Sequence, residues 1–471
     1  MRRARLISFL LPVATLLATS CSDDDPVGPD PDPVTEAVIS ENITANRTLH
    51  SDTTYTLRGF VKVANGATLT IEPGTVIQGD YNVLGSSLFV LRGARIVAEG
   101  TAAQPIVFTS SRPEGQRQPG DWGGLIIVGN GIINRTGDVL LEGTGTGADN
   151  PQVLYSGGNN NTDSSGTLRY VRVEFAGYGT APNAELNTFT FAAVGSGTTL
   201  DYLQALGGLD DSFEWFGGAV DAKHLVSYEA GDDHFDMSEG YSGRVQYAIA
   251  FQSRQLVPRA GAGNVADDPQ GIENDGCNGA GCVDGQNSNP LTQPMIANFT
   301  LVGPPAGIFA GGSGGIGTML RRGTGGIYVN GVVARWERAA LSLRDQTTLD
   351  RATDGDLTLQ NVHVTGTGPT FQAQIVGGPV QGQLDLGANS IEVGVGTPTA
   401  LFAALPVSPT SAGQLDWTPA TGSAIAAGGM NAFAGAIATK AGTFVTPTAY
   451  RGAADPAGAK WWQGWTNYAD N

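Results

Sequence analysis

Apolar and polar residues alternate along this chain in short runs separated by glycine-rich turns. Leu168-Arg-Tyr-Val-Arg-Val-Glu-Phe175, Leu200-Asp-Tyr-Leu-Gln-Ala-Leu206, Ala222-Lys-His-Leu-Val-Ser-Tyr228 and Val245-Gln-Tyr-Ala-Ile-Ala-Phe251 align on Tyr170, Tyr202, His224 and Tyr247. The last two steps are nearly equal, and the first is longer because a loop intervenes. A second column runs through "IANFTLVG", "IYVNGVVA" and "LTLQNVHV", with Asn298, Asn330 and Asn361 in register and Phe299, Gly331 and Val362 beside them. Period-2 strands recurring every ~20–30 residues predict a solenoid, each coil pairing with the next about 4.8 Å away. Asparagine suits such a column because it tolerates left-handed backbone and its amide reaches its copies above and below. The fold class expected is therefore all-β, a right-handed parallel β-helix. A propeller would show four strands per blade of about 40–50 residues, and a leucine-rich repeat its leucine spacing; neither pattern is present.

The coils are expected over residues 41–398, beginning with "ATLTIEPGTVIQG" and "SSLFVLRGARIVAEG", whose Gly74 and Gly93 mark matching turns. From residue 399 the chain is richer in Ala, Thr and Pro and ends in "YRGAADPAGAKWWQGWTNYADN". An open coil exposes an unpaired strand edge, so residues 399–471 are expected to form a cap or strap. Trp461, Trp462 and Trp465 would anchor it; the alternative for these rings is a sugar-binding platform.

The N-terminus fixes the compartment. Arg2, Arg3 and Arg5 precede an apolar run from Leu6 to Leu17, shorter than the roughly 17–25 residues of a membrane span, as in an export signal. Leu17-Ala18-Thr19-Ser20-Cys21 resembles a bacterial lipoprotein cleavage box. That resemblance implies a signal peptide over residues 1–20 and lipidation of Cys21. Residues 21–40 carry Ser22-Asp23-Asp24-Asp25 and "PVGPDPDPVT", an acidic, proline-rich N-terminal tether. The Ser-Asp-Asp-Asp start resembles the signal that sends Bacteroidetes lipoproteins to the outer face of the outer membrane. Of three cysteines, Cys277 and Cys282 remain, in "CNGAGC". An oxidising compartment favours a disulfide, and no further thiols or histidines stand near for a metal site.

The formal charge of −18 becomes −21 once the three signal arginines are gone. Such a surface repels phosphate backbones, which excludes nucleic acid as a partner, and it attracts divalent cations.

The candidate chemistry lies in a repeat. Asp210-Asp211-Ser-Phe-Glu214 recurs as Asp232-Asp233-His-Phe-Asp236, at the same interval that separates Tyr202 from His224. One coil of that length stacks Asp210 on Asp232, Asp211 on Asp233 and Glu214 on Asp236, with Glu239 near the edge. Carboxylates that close repel unless a cation neutralises them. Ca2+, which takes six to eight oxygens in loose geometry, is the natural candidate; Lys223 and Arg244 are alternative counter-charges. Three readings follow: turn architecture with or without a structural ion, a Ca2+-dependent ligand site, and catalysis. For catalysis, Gly231-Asp232-Asp233 resembles the Asp-Asp pair of β-helix polygalacturonases, and His234 is the histidine adjoining it. The Gly-His-Gly and Arg-Ile-Lys elements of those enzymes are absent. Asp267, Asp268, Glu273, Asp275 and Asp284 read as a solvated acidic loop around the cysteine pair, and Arg321 and Arg322 as partners for acids on a neighbouring coil.

The phrases "ATLTIEPGTVI", "GDWGGLIIVG", "DDSFEWFGG", "GDDHFDMSEGY", "LRRGTGGIY" and "YRGAADPAGAKWW" resemble the β-helix lipoproteins of Bacteroidetes, Gemmatimonadetes and related bacteria. That resemblance spans nearly the whole mature chain and implies the fold and an envelope location, without a particular activity. The expected function is a lipid-anchored, surface-exposed β-helix binding polysaccharide or another surface component, with Ca2+ as possible cofactor. The alternatives are a polysaccharide lyase or glycoside hydrolase, and a purely structural or adhesive surface protein.

Overall fold

The structure, a computed structural model, describes residues 35–266, 269–309, 314–368, 371–375, 378–379 and 390–468. The chain divides into two units, Met1–Val34 and Thr35–Asn471. The export signal, Cys21 and all but the last residues of the expected tether lie outside the described residues.

The second unit is a right-handed parallel β-helix. One sheet of 17 strands and another of 11 run along it, and neighbouring coils pair in parallel. The first coil starts inside the stretch assigned to the tether. Thr35–Ile39 is a strand paired with Thr53–Leu57, and Ile39 is buried.

The two columns expected from the sequence are one column. Register carries Tyr170 onto Tyr202, His224 and Tyr247, and then onto Asn298, Asn330 and Asn361. All seven residues have φ between 48° and 67°, a left-handed turn that non-glycine residues seldom adopt. Each breaks its strand into two straight segments, so the column is a corner of the coil. The pattern had concealed this identity because a long insertion separates Tyr247 from Asn298. Corner side chains stack on one another, with ring centroids 4.3 Å apart for Tyr170–Tyr202, 4.2 Å for Tyr202–His224 and 5.0 Å for His224–Tyr247. Gly331 follows Asn330 because a Cβ there would stand 2.0 Å from the Phe299 ring.

The C-terminal residues run along this corner as a strap. Asn298 Nδ2 donates to Thr448 Oγ1 (2.8 Å), and Asn361 Nδ2 donates to the Gly428 carbonyl (2.8 Å). Trp465 meets the rings of Tyr170 and Tyr202 edge-on at 5.6 and 6.1 Å. Trp462 and Trp465 are each 1 % exposed, so these rings are packing anchors and not a sugar platform. One helix, Gln346–Asp354, interrupts the all-β pattern. Asp345 caps it by accepting from Thr348 N, and Gly355 ends it at φ 88°. Both are start and stop signals that the repeat reading passed over.

Trp465→Ala removes the anchor over the Tyr170–Tyr202 stack. The expected loss is about 3–5 kcal/mol of stability, measured by urea unfolding.

Candidate functional site

The repeated motif combines an inward and an outward pattern. In Phe213–Phe216 and Phe235–Ser238, Phe213, Trp215, Phe235 and Met237 enter the core. Phe189, Phe213 and Phe235 stack there at 4.9 and 5.6 Å. Glu214 and Asp236, paired in register, point the other way, and Glu273 on the strand Gln270–Asp275 continues their column. Alternation along the strand is the cause.

The adjacent Asp pairs divide their labour. Asn187 Oδ1 accepts from Asp211 N (3.1 Å), Asp211 Oδ1 from Asp233 N (2.8 Å), Asp233 Oδ1 from Gln270 N (2.5 Å), and Gln270 Oε1 from Ile316 N (2.8 Å). Asp211 and Asp233 are thus rungs of a ladder that satisfies one main-chain N–H in each turn. Asp210 and Asp232 stand beside the rungs, half-buried.

Together the acids floor a recess of about 170 Å³ lined by Glu142, Asp210, Glu214, Asp232, Asp236 and Glu273, with the ladder pair beneath. It opens into two larger depressions, of about 1110 and 400 Å³, and Glu142 lines all three. The walls are insertions between coils. The hairpin Gly179–Ala181/Ala184–Glu185 and residues 258–266 form one side. The segment between Val128 and Gly166 brings Arg135, Glu142 and Tyr155 to the other. A loop closed by Cys277–Cys282 braces this second wall, its Gly281 and Ala280 carbonyls accepting from Thr136 N (2.9 Å) and Arg135 Nε (2.8 Å). Arg135 in turn pairs with Glu239 at 2.6 Å, and Tyr155 donates to the same carboxylate.

Burial and mutual repulsion push Asp210, Asp211, Glu214, Asp233, Asp236 and Glu273 well above the ordinary carboxylate range. Burial also lifts Glu142, to about 7. Among the described residues Arg321 is the one cation lining the recess, bound to Glu273 and, at 2.7 Å, to Asp275. Burial works against its charge, but Asp275 and Glu273 outweigh that and raise its pKa.

Three sets of carboxylates, Asp210/Asp211/Asp232, Asp211/Glu214/Asp236 and Asp233/Asp236/Glu273, each bring one oxygen per residue to within 4.8 Å of the others. Each is an all-oxygen donor set suited to a hard divalent cation. Asp236 Oδ1 is buried without a hydrogen-bond partner among the described residues, an acceptor left over for an ion.

Several expectations need correction. Glu273 and Asp275 do not belong to a solvated loop: both are buried on a strand, 5 % and 6 % exposed. Asp284 is exposed, and Asp267 and Asp268 lie outside the described residues. Neither Lys223 nor Arg244 neutralises the acids, since Arg244 pairs with Asp221 (2.6 Å) and Lys223 lies over the Phe444 ring. Arg321 takes that part, and Arg322 joins it on Asp275. His234 does not line the recess: it is 1 % exposed, its Nδ1 lies 2.5 Å from Ser227 Oγ, and burial lowers its pKa to about 3. Glu142 was missed altogether. Its local sequence carries no motif, and the one signal was the long stretch between strands in which it stands.

Two substitutions separate rung from recess. Asp233→Ala strands the Gln270 N–H and costs about 1–3 kcal/mol in urea unfolding, whereas Asp233→Asn retains an acceptor and costs less. In EDTA, the acids whose folded pKa values are raised stabilise the protein below their unfolded values near 4 and lose that contribution as pH rises through the folded ones. The cation-free melting temperature is therefore expected to fall between pH 6 and 8, where Glu142 titrates at about 7. Glu142→Gln flattens that slope.

The family model of the pectate-lyase-like β-helix domain matches residues 41–403. Among solved structures, the catalytic domain of a GH87 α-1,3-glucanase in complex with nigerose aligns at 12 % identity over 78 % of this chain and 70 % of that one, with a TM-score of 0.25. The curated proteins give no match. The chain belongs to the pectate-lyase-like β-helix domain family.

Proposed function

We propose that the protein is a cell-envelope lipoprotein, anchored through Cys21 and displayed on its acidic tether, whose groove binds polysaccharide through a divalent cation. Ca2+ is the ion best matched to the donor set. The supporting observation is the geometry of the recess: overlapping carboxylate sets on successive coils, with Arg321 as the lining cation, at the floor of a groove of polymer dimensions. Without an ion this arrangement opposes folding at neutral pH. With one, repulsion becomes ligation, and a coordination sphere that needs six to eight oxygens has places left for sugar hydroxyls or carboxylates. Asp210, Asp232, Asp236 and Glu214 would hold the ion, while Asp211 and Asp233 keep the turns closed.

Glycosidic bond cleavage is the second reading, favoured by Glu142. A carboxyl titrating at about 7 is protonated in part at neutral pH and can donate to a leaving oxygen while an ionised neighbour acts as base.

Calorimetric titration of Ca2+ into the chain beginning at Ser22 tests the first reading. Asp236→Asn and Asp210→Asn/Asp232→Asn are expected to weaken binding about tenfold or more and to abolish the Ca2+-induced rise in melting temperature. Equal Ca2+ affinity in parent and variants overturns it. Polysaccharide arrays with Ca2+ and with EDTA then show whether retention needs the ion. Release of reducing ends that is lost in Glu142→Gln would transfer the assignment to cleavage.

A further inference from the structure

On the strap side of the molecule, away from the acids, a cavity of about 520 Å³ lies between the coils and the short helix Gly435–Ala441. The coils contribute Ser196, Asp221, Ser242 and Arg244, and the helix contributes Thr439 and Lys440. The charges here are unevenly satisfied. Arg244 is saturated: Nε and Nη2 donate to Asp221 at 2.9 and 2.6 Å, and Nη1 donates to the Ala441 carbonyl at 3.0 Å. Lys440 has no such partner. Among the described residues its Nζ makes one hydrogen bond, to the Ser242 carbonyl (2.6 Å), and no ion pair. Burial lowers its pKa to about 8, Asp221 drawing it up and Arg244 down.

The neutral groups around it are biased toward accepting. Ser196 Oγ donates to the Asn161 carbonyl (3.0 Å), Ser242 Oγ to Gly218 (3.2 Å) and Thr439 Oγ1 to Gly435 (3.1 Å). A hydroxyl whose proton is committed to the main chain has lone pairs left to offer. The Asp356 carboxylate on the rim adds more acceptors, holding Gln293 Nε2 loosely at 3.4 Å. One cation without a counter-ion, surrounded by acceptors, is complementary to a molecule with one acidic group and several hydroxyls.

We propose that this seam cavity binds a small polyhydroxylated anion, with the acidic group on Lys440 and hydroxyls donating to Ser196, Ser242, Thr439 and Asp356. The size of the cavity suits a single sugar acid. Because the ligand touches both coil and strap, it clamps the strap and raises the melting temperature. The site is separate from the acidic groove and does not depend on the function proposed for it.

The test is calorimetric titration and thermal melting of the full chain in EDTA, which removes any contribution from a cation in the groove. The probes are gluconate, glucose and sulfate. Gluconate is expected to bind and raise the melting temperature, with glucose and sulfate at least about tenfold weaker. Lys440→Met is expected to lose gluconate binding by about tenfold or more, Lys440→Arg to retain most of it, and Ser242→Ala, which keeps the carbonyl beneath Lys440, to weaken it several-fold. Unchanged gluconate affinity in Lys440→Met overturns the proposal, as does sulfate binding as tightly as gluconate or no binding of gluconate by the parent.

Discussion

Main-chain pairing between parallel coils holds each side chain about 4.8 Å from its counterparts on the coils above and below. That spacing decides which residues can repeat. Phenylalanines gain from it, as in the Phe189–Phe213–Phe235 stack. Aromatic corners gain too, and amides gain by bonding the strap. Carboxylates lose, because like charges at that distance cannot all stay ionised in a half-buried recess. The same register therefore builds the core and loads the site with repulsion. An acid tolerated in such a column is either bonded to main-chain N–H groups, as Asp211 and Asp233 are, or held against a positive charge.

The parts of this design legible in the sequence are those that repeat at short range. The strands, the corner residues and the stacking of Glu214 on Asp236 follow from a regular interval and period-2 alternation. The failures share a physical cause: they involve contacts set by insertions. A long insertion split the single corner column into two apparent ones. Glu273 looked like part of an acidic loop because its strand follows that insertion, yet parity along Gln270–Asp275 places it beside Asp236. Glu142 reaches the recess from a segment with no repeat of its own. The distinct roles of Asp210 and Asp211 were also hidden, since adjacent identical residues carry no mark of which one faces the turn.

Insertion length is, in retrospect, the sequence signal for the groove. A minimal coil has the length of the step from Asp211 to Asp233, and the coils that wall the acids exceed it. Each excess is packed against the next by specific bonds, such as those from the Cys277–Cys282 loop to Arg135 and Thr136. Surface loops without a role tolerate variation; these ones converge on a single depression and carry Glu142, Tyr155 and Arg135 to it.

The acids also stand where the fold is best able to bear them. Directly behind Glu214 and Asp236 lie Phe213, Trp215 and Phe235, almost wholly buried. Beside them runs the Asn187–Asp211–Asp233–Gln270 ladder, which fixes four successive turns through side-chain acceptors. Core packing and ladder thus supply local rigidity on the same coils that carry the repulsion, so the carboxylate oxygens are held in place whether or not a cation is present. A ligand that binds such a preorganised set does not have to order it first. Stability given up to repulsion is in that case returned as affinity, which is the behaviour of a binding site and not of a turn.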